Sequence, residues 1–379
     1  MIYLDSAATT LQKPPSVVRA MDRALLTCAN PGRSGHGPAL RAQETVFACR
    51  ELAAQLFGLE APERVIFTQN ATHALNIAIR SVLHGGGHAV ISGYEHNSVV
   101  RPLTALAEEG VAFTPAHSPL FDPDGAYQAV VEALRPDTRC VIVNHVSNVF
   151  GYILPIREID GLCLRRGIPL ILDVSQSAGV LDIDLRDLPG THFLCMPGHK
   201  GLYGPQGTGL LLCAREEPVR SLTQGGTGSL SLDPRQPDFL PDGLESGTLN
   251  VPGIAGLAEG LRFVLRRREE IAQRERALLF LAAEGLKAQE GTQVFFDPGC
   301  QSGVLSFRKT GWDPGDLCAA LGRAGICTRG GLHCAPLAHK SAGTLPEGTV
   351  RLSFSAFNTR GEIGDCLDVL SRLKKGGEV

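Results

Sequence analysis

Residues 40–58, LRAQETVFACRELAAQLFG, set Val46, Phe47, Leu52 and Leu56 at the spacing of one helical face, and Gly58 supplies a stop. The short β-rich run RVIFT follows, and the pattern then alternates. ALNIAIRSVL reads as a helix, HAVISG as a strand, VRPLTALAEEG as a helix and CVIVNHVSN as a strand; REIDGLCLRRG is helical and PLILDVS extended. Strands that are apolar throughout, separated by helices, predict a parallel sheet covered on both faces. THFLCM and GTGLLLC predict two further strands around a glycine-rich loop, whereas HGGGH at 84–88, between a helix end and a strand start, reads as a turn.

The pattern changes after about residue 215. Residues 222–253 are rich in Gly, Pro, Ser and Asp and predict an ordered excursion. From Pro252, well placed for a first helical turn, a long helix is predicted through IAGLAEGLRFVLRRREEIAQRERALLFLAAEGL. Strands (SGVLSFRK, TVRLSFS) and a helix (DPGDLCAALGRAG) follow. A last helix opens with the capping-box spacing Thr359-x-x-Glu362 and carries Ile363, Leu367 and Leu370 on one face. The chain therefore reads as a large α/β unit followed by a smaller α+β one.

Composition narrows the function classes. The 379 residues are 43% hydrophobic and 20% charged with a net charge of −3, which suits a globular chain and gives no footprint for nucleic acid. Eleven cysteines without a CxxC pair fit reduced thiols in a cytoplasmic protein better than a disulfide framework. MIYLDSAATT lacks the basic and apolar regions of a signal peptide, and no apolar run reaches the roughly 18 to 20 residues that a membrane span needs.

Ligands of a parallel α/β sheet bind at the carboxyl ends of its strands. After RVIFT, the start of the next helix and the Thr72 hydroxyl would suit a phosphate, although Asn70 or Thr72 serves equally as a plain cap. His96 follows HAVISG, and a histidine there can stack on a ring or move protons near neutral pH. Asn148, after CVIVNHV, can hydrogen-bond a ligand oxygen. Asp173 follows four apolar residues, where a carboxylate needs a partner such as a protonated ring nitrogen, and Gln176 lies a short turn on. Lys200 sits in a glycine-flanked loop, where desolvation favours a Schiff base with an aldehyde. Singly, each has a structural alternative; together they are the handles of pyridoxal 5′-phosphate. Cys334, in RGGLHCAP, is a thiol on a loop beside a histidine, the setting of a reactive rather than a packed cysteine.

Eight blocks then occur in order: YLDSAATT, EH at 95–96, HVSNVFG, DVSQSAG, GHKGLYGPQGTG, ESGTLN, RGGLHCA and RLSFSAFNT. They resemble the class V, fold-type I pyridoxal-phosphate enzymes, and within them the cysteine desulfurases of the SufS/CsdA-like group, over nearly the whole chain. The resemblance implies an aspartate-aminotransferase-like fold with a large, mostly parallel sheet domain (16–253), a smaller C-terminal α+β domain carrying the cysteine loop (254–379), and an N-terminal segment (1–15) packed near the small domain and the active site. It implies that Lys200 bonds to the cofactor aldehyde and takes the substrate's α-proton, that Asp173 pairs with the pyridine nitrogen, and that His96 stacks on the ring and handles the substrate thiol's proton. Asn148 and Gln176 would lie by the cofactor's oxygen; Ala71, Thr72, His199 and loop amides would hold the phosphate, with Thr248 reaching the phosphate of a neighbouring subunit in a homodimer. Arg351 would clamp the carboxylate of L-cysteine, Asn148 and His36, the latter near the active site, would belong to the substrate-binding set, and Cys334 would take the sulfur as a persulfide, releasing alanine and passing sulfur to a protein acceptor for iron–sulfur cluster assembly.

Two departures stand out. Asn70-Ala71-Thr72 replaces the family's Gly-Thr-Thr, and Pro197 stands where relatives carry a phosphate-binding serine. A selenocysteine lyase or an aminotransferase-like class V enzyme is the alternative reading. A zinc or sulfur-carrier module built on Cys327, His333, Cys334 and His339 lacks the paired ligands of ordinary zinc sites, so no metal is expected.

Overall fold

A computed structural model describes residues 1–32 and 34–373; the final residues of the expected 254–379 unit lie outside the described residues. In chain order the elements are β1 (Ile2–Tyr3), α1 (Pro15–Thr27), α2 (Gly37–Phe57), β2 (Val65–Thr68), α3 (Ala71–Val82), β3 (Gly87–Ser92), α4 (Asn97–Ala107), β4 (Val111–Ala116), α5 (Pro123–Ala133) and β5 (Thr138–Asn144). They continue with α6 (Ile156–Arg166), β6 (Leu170–Asp173), β7 (Thr191–Pro197), β8 (Gly209–Cys213), α7 (Val251–Lys287), β9 (Thr292–Phe295) and β10 (Val304–Lys309). The last are α8 (Pro314–Arg323), β11 (Ile326–Cys327), β12 (Arg329–Gly331), α9 (Pro336–Ser341), β13 (Thr349–Ser353) and α10 (Arg360–Arg372).

The large sheet has the order β2-β8-β7-β6-β5-β3-β4. Every pairing is parallel except the two made by β8. That strand reverses because the loop joining it to β7 contains no crossover helix, which a parallel return would require. Successive residues of each strand feed opposite layers. Leu170 and Leu172 of β6 join the core beneath α2 and α7, while Ile171 joins the core beneath α3 and α4. All three side chains are fully buried, each stabilising by roughly 1.5–3 kcal/mol, which is why these strands carry no polar alternation.

The helix boundaries follow local chemistry. Gly58 closes α2 in the left-handed conformation (φ 67°), and Thr359 and Glu362 form a reciprocal capping box at α10. The long helix α7 ties two cores together: Ile254, Leu257 and Leu261 pack under the large sheet, whereas Leu278, Leu279 and Leu286 pack with a second, antiparallel sheet of order β12-β13-β10-β9. The chain's first residues join that second unit, since β1 pairs in parallel with β11. From there the N-terminal segment crosses to the large unit, where the Thr10 amide donates to the carbonyl of His199 at 3.1 Å.

The predicted excursion at 222–253 contains no helix or strand until α7 begins. The sequence pattern did not single out α1, β4 or α5. Strand β4 is the sheet's edge, half of it partly exposed and containing Pro115, so it lacks a continuous apolar run.

Candidate active site

The carboxyl ends of β2, β3, β5, β6 and β7 are brought level by the sheet register, in which Asn144 faces Asp173 and Asp173 faces Cys195. The segments leaving these ends surround a cavity of about 210 Å³. Ala71, Thr72, His96, Asn148, Asp173, Gln176, His199 and Lys200 all line it. Thr248 does not; it lines a separate cavity of about 700 Å³ with Phe47, Gly226 and Arg50. His36 is exposed and caps α2, its Nδ1 accepting the Ala39 amide at 3.3 Å.

Lys200 is half-buried at the tip of the loop after β7. Close backbone approach makes this burial possible: a Cβ on Gly201 would sit 2.4 Å from the carbonyl oxygen of Ala178. Burial lowers the pKa of the lysine to about 8, opposed by Asp173 and reinforced by Arg351. Its amine makes no hydrogen bond to the described residues. Asp173, itself buried, accepts the Ser175 amide on Oδ1 at 2.9 Å and leaves Oδ2 without a protein partner among the described residues.

His96 caps α4, and Nδ1 accepts the Ser98 amide at 3.0 Å, which fixes the proton of the neutral ring on Nε2. Burial, and next the charge of Lys200, push its pKa down to about 4, so the ring is neutral at pH 7. Ser98 Oγ in turn lies 2.9 Å from His96 Nδ1 and 2.7 Å from the Thr72 hydroxyl. The hydroxyl absent at Ala71 and Pro197 is thus offered by Ser98, a residue the sequence reading passed over. The motif EHNS contained it, but nothing in the spacing aims it across to Thr72. His199 is held at Nδ1 by the Thr9 hydroxyl (3.0 Å), and burial lowers its pKa to about 4.

Glu95 lies behind this wall. Its Oε1 accepts the Asn144 amide at 2.7 Å, Oε2 has no partner, and burial foremost pushes its pKa up to about 8, so it is a neutral acid at pH 7. Gln176 faces the cavity with its amide donating to the Ala7 carbonyl at 3.0 Å.

Cys334 is the exposed cysteine of the set, on the connection between β12 and α9. His333 and Cys334 have φ values of 50° and 57°, two successive L-residues in the left-handed region. Polar contacts hold them there. The Cys334 carbonyl accepts the Asn97 amide at 2.8 Å, the His333 carbonyl accepts Nδ2 of Asn148 at 2.8 Å, and His333 Nε2 lies 3.1 Å from the Thr349 carbonyl. His333 is buried, which drives its pKa far down and keeps its ring neutral.

Arg351 is buried beside Asn148, whose carbonyl accepts its Nη1 at 2.9 Å. Its Nη2 donates to Asp5 Oδ1 at 2.7 Å, and Arg329 donates to Asp5 Oδ2 through Nη2 at 2.8 Å. Asp5 and Arg329 were not anticipated: they lie 324 residues apart, and only folding brings them together. Among the described residues no group of three or more His, Cys, Asp or Glu side chains could hold a metal ion.

A loop lysine and a strand-end carboxylate facing one cavity, with a neutral histidine on its wall and free helix N–H groups at one end, define a class of protein that comparison confirms. The chain belongs to the class-V aminotransferase family, which matches residues 2–365. It is 33% identical to a probable cysteine desulfurase of Methanothermobacter thermautotrophicus, over 98% of this chain and 95% of that one. The solved apo structure of the cysteine desulfurase from Thermococcus onnurineus superposes with a TM-score of 0.89 at 32% identity, covering 99% of this chain and 95% of its own. The cysteine desulfurase CsdA (S-sulfonic acid) from Escherichia coli gives 0.85 at 27% identity, covering 98% and 94%.

The family depends on pyridoxal 5′-phosphate, and the cavity fits it. Asp173 keeps a carboxylate oxygen free for the ring N–H, and the half-buried Lys200 is without a hydrogen-bond partner for its amine among the described residues. At the other end, the amides of Ala71 and Thr72 open α3, with the Thr72 and Ser98 hydroxyls beside them.

Proposed function

We propose that this chain is a pyridoxal-phosphate-dependent cysteine desulfurase, converting L-cysteine to L-alanine and receiving the sulfur on Cys334 as a persulfide. The observation that carries the reading is the junction made by Asn148. Its side chain lines the cofactor cavity and holds the backbone of the Cys334 loop, while its carbonyl fixes Arg351. These contacts of one residue support a reading in which the cofactor, the carboxylate clamp and the sulfur acceptor lie side by side.

The bound cofactor supplies an electron-withdrawing ring that makes the substrate's α-proton removable. This chain's residues do the rest. Arg351 orients the substrate carboxylate, Lys200 accepts the α-proton and returns it, and the Nε2 of neutral His96 holds the proton exchanged with the substrate thiol. The Cys334 thiolate attacks the substrate sulfur. An S–S bond forms as the carbon–sulfur bond breaks, and the bonding pair stays with the carbon skeleton, which takes up a proton and leaves as alanine. Bound there, the cofactor would have its ring nitrogen kept protonated by Asp173, its ring stacked by His96, its ring oxygen met by Gln176 and Asn148, and its phosphate held by Ala71, Thr72, His199 and Ser98.

A homodimer completes this reading. Thr248 lies outside the cofactor cavity of its own chain, and Leu26 of α1, Phe47 of α2 and Leu232 of the excursion are exposed apolar residues able to meet a second copy. His36 is assigned to the substrate entrance of that assembled site, and a protein acceptor to the persulfide. The division 1–15, 16–253 and 254–379 is kept as the organisation of the chain, checked by limited proteolysis near residue 253. No described helix is long and apolar enough to cross a membrane, which accords with a cytoplasmic enzyme.

The test is to incubate the holoenzyme with L-cysteine, quantify alanine, and map the persulfide by mass. Cys334→Ala must lose both persulfide and sulfur transfer; a persulfide on another cysteine refutes the assignment. Selenocysteine cleavage that survives Cys334→Ala, with no turnover of cysteine by the unaltered enzyme, moves the assignment to a selenocysteine lyase.

A further inference from the structure

The N-terminal segment grips the peptide that precedes Lys200. Four donors surround the His199 carbonyl oxygen: the Thr10 amide, the Lys13 ammonium and the Thr10 hydroxyl, each at 3.1 Å, and the Thr9 hydroxyl at 3.2 Å. A carbonyl oxygen has two lone pairs, so two of the four donors bond elsewhere. The Thr10 amide has no other acceptor among the described residues, and a half-buried ammonium holds a carbonyl more strongly than a neutral hydroxyl does. Those two therefore keep it. The Thr10 hydroxyl accepts from Lys13 and has the Lys200 carbonyl at 3.3 Å to donate to. The Thr9 hydroxyl has His199 Nδ1, which at 3.0 Å is closer to it than the carbonyl.

We infer that Thr9 is a positioning residue for the cofactor phosphate: by donating to Nδ1 it sets the tautomer of His199, so that the ring presents Nε2–H to the anion. The ring is neutral at pH 7, because burial, and next the charges of Lys200 and Lys13, lower its pKa to about 4. It therefore carries one proton, and a hydrogen bond accepted at Nδ1 leaves that proton on Nε2. His199 lines the cofactor cavity, and its Nε2 meets no acceptor among the described residues. The other tautomer would turn a lone pair toward the phosphate, which repels it, in place of a charge-assisted bond. The donor matters the more in this cavity because Ala71 and Pro197 on its wall bring no hydroxyl. Thr9 itself stands outside the lining and acts through His199, 190 positions along the chain.

This inference rests on the assignment of His199 to the phosphate, and the experiment separates the two. The full chain, freed of cofactor with hydroxylamine, is titrated with pyridoxal 5′-phosphate and with pyridoxal, which lacks the phosphate, and the visible absorbance gives each affinity. Thr9→Val, which keeps the shape and removes the hydroxyl, is expected to lower the ratio of the first affinity to the second by roughly threefold to tenfold, the scale of one neutral hydrogen bond. Thr9→Ser restores the ratio, and equal thermal midpoints verify that both variants are folded. In nitrogen NMR spectra of histidine-labelled holoenzyme, with the His199 signals identified by their loss in His199→Leu, Nε2 is the protonated nitrogen. A proton on Nδ1, or a ratio unchanged in Thr9→Val, overturns the inference. A ratio unchanged in His199→Leu overturns instead the assignment on which it rests.

Discussion

Replacing Cys334 by glycine is expected to give a more stable protein than replacing it by alanine, the reverse of the usual order. Both changes delete the thiol, so chemistry does not enter the comparison, and the side chain is exposed, so little packing is lost with it. What differs is the backbone. At φ 57° an L-residue is disfavoured by roughly 1–2 kcal/mol, whereas glycine is not. Glycine's greater freedom in the unfolded chain gives back roughly 0.5–1 kcal/mol. The net expectation is that Cys334→Gly exceeds Cys334→Ala by about 0.5–1 kcal/mol. The measurement is the urea midpoint of each holoenzyme, with unchanged slopes. Glu269, exposed in the middle of α7, is the control: there glycine must be worse than alanine by about 1 kcal/mol. If Cys334→Gly unfolds at or below the midpoint of Cys334→Ala, the strain reading of the loop is wrong. The two hydrogen bonds on the His333 and Cys334 carbonyls would then hold a relaxed turn, not a forced one.

Other expectations follow from the same packing. Glu245 accepts Arg50 Nη1 at 3.0 Å and the Phe67 amide at 2.6 Å, all largely buried, so Glu245→Ala should cost about 3–5 kcal/mol in denaturant unfolding, and Arg50→Met with Glu245→Leu far less. Burial depresses His96 and His145 to about 4. Below about pH 6.5 the unfolded chain therefore binds protons that the folded chain refuses, and each histidine should remove up to about 1.4 kcal/mol of stability per pH unit as pH falls toward 4. The difference in urea midpoint between the unaltered protein and His145→Asn should change accordingly between pH 7 and 5.5, and a difference that stays constant contradicts it. Glu95 and Glu275 act with the opposite sign: burial raises both to about 8, so stability is lost as pH rises from the ordinary carboxyl range toward 8. Glu275→Gln should flatten that decline, and a decline as steep as in the unaltered protein would place the proton elsewhere.

Much of this molecule is written locally. The apolar runs around Leu170–Leu172 specify interior strands because a sheet covered on both faces tolerates nothing else, and the Thr359–Glu362 box specifies the start of α10 through bonds that span one turn. The residues after each strand announced a binding site for the same reason, since the topology exposes only strand ends to a ligand. Strand β4 and helix α5 were not legible in this way. The first is a half-exposed edge, and the second buries only Ala126 and Val130.

What the tertiary structure alone decided is who partners whom. Asp5 meets Arg351 across 346 positions, Thr72 meets Ser98 through the packing of α3 against α4, and Asn148 meets the carbonyl before Cys334 across 185. No local periodicity encodes such pairs, because a polar side chain is placed by the crossing of distant backbones and then selected by the cost of leaving a buried charge or amide unpaired. The sequence thus determined the elements, the lysine loop after β7 and the exposed thiol; folding determined the ion-pair partner of Arg351 and the left-handed turn that carries Cys334.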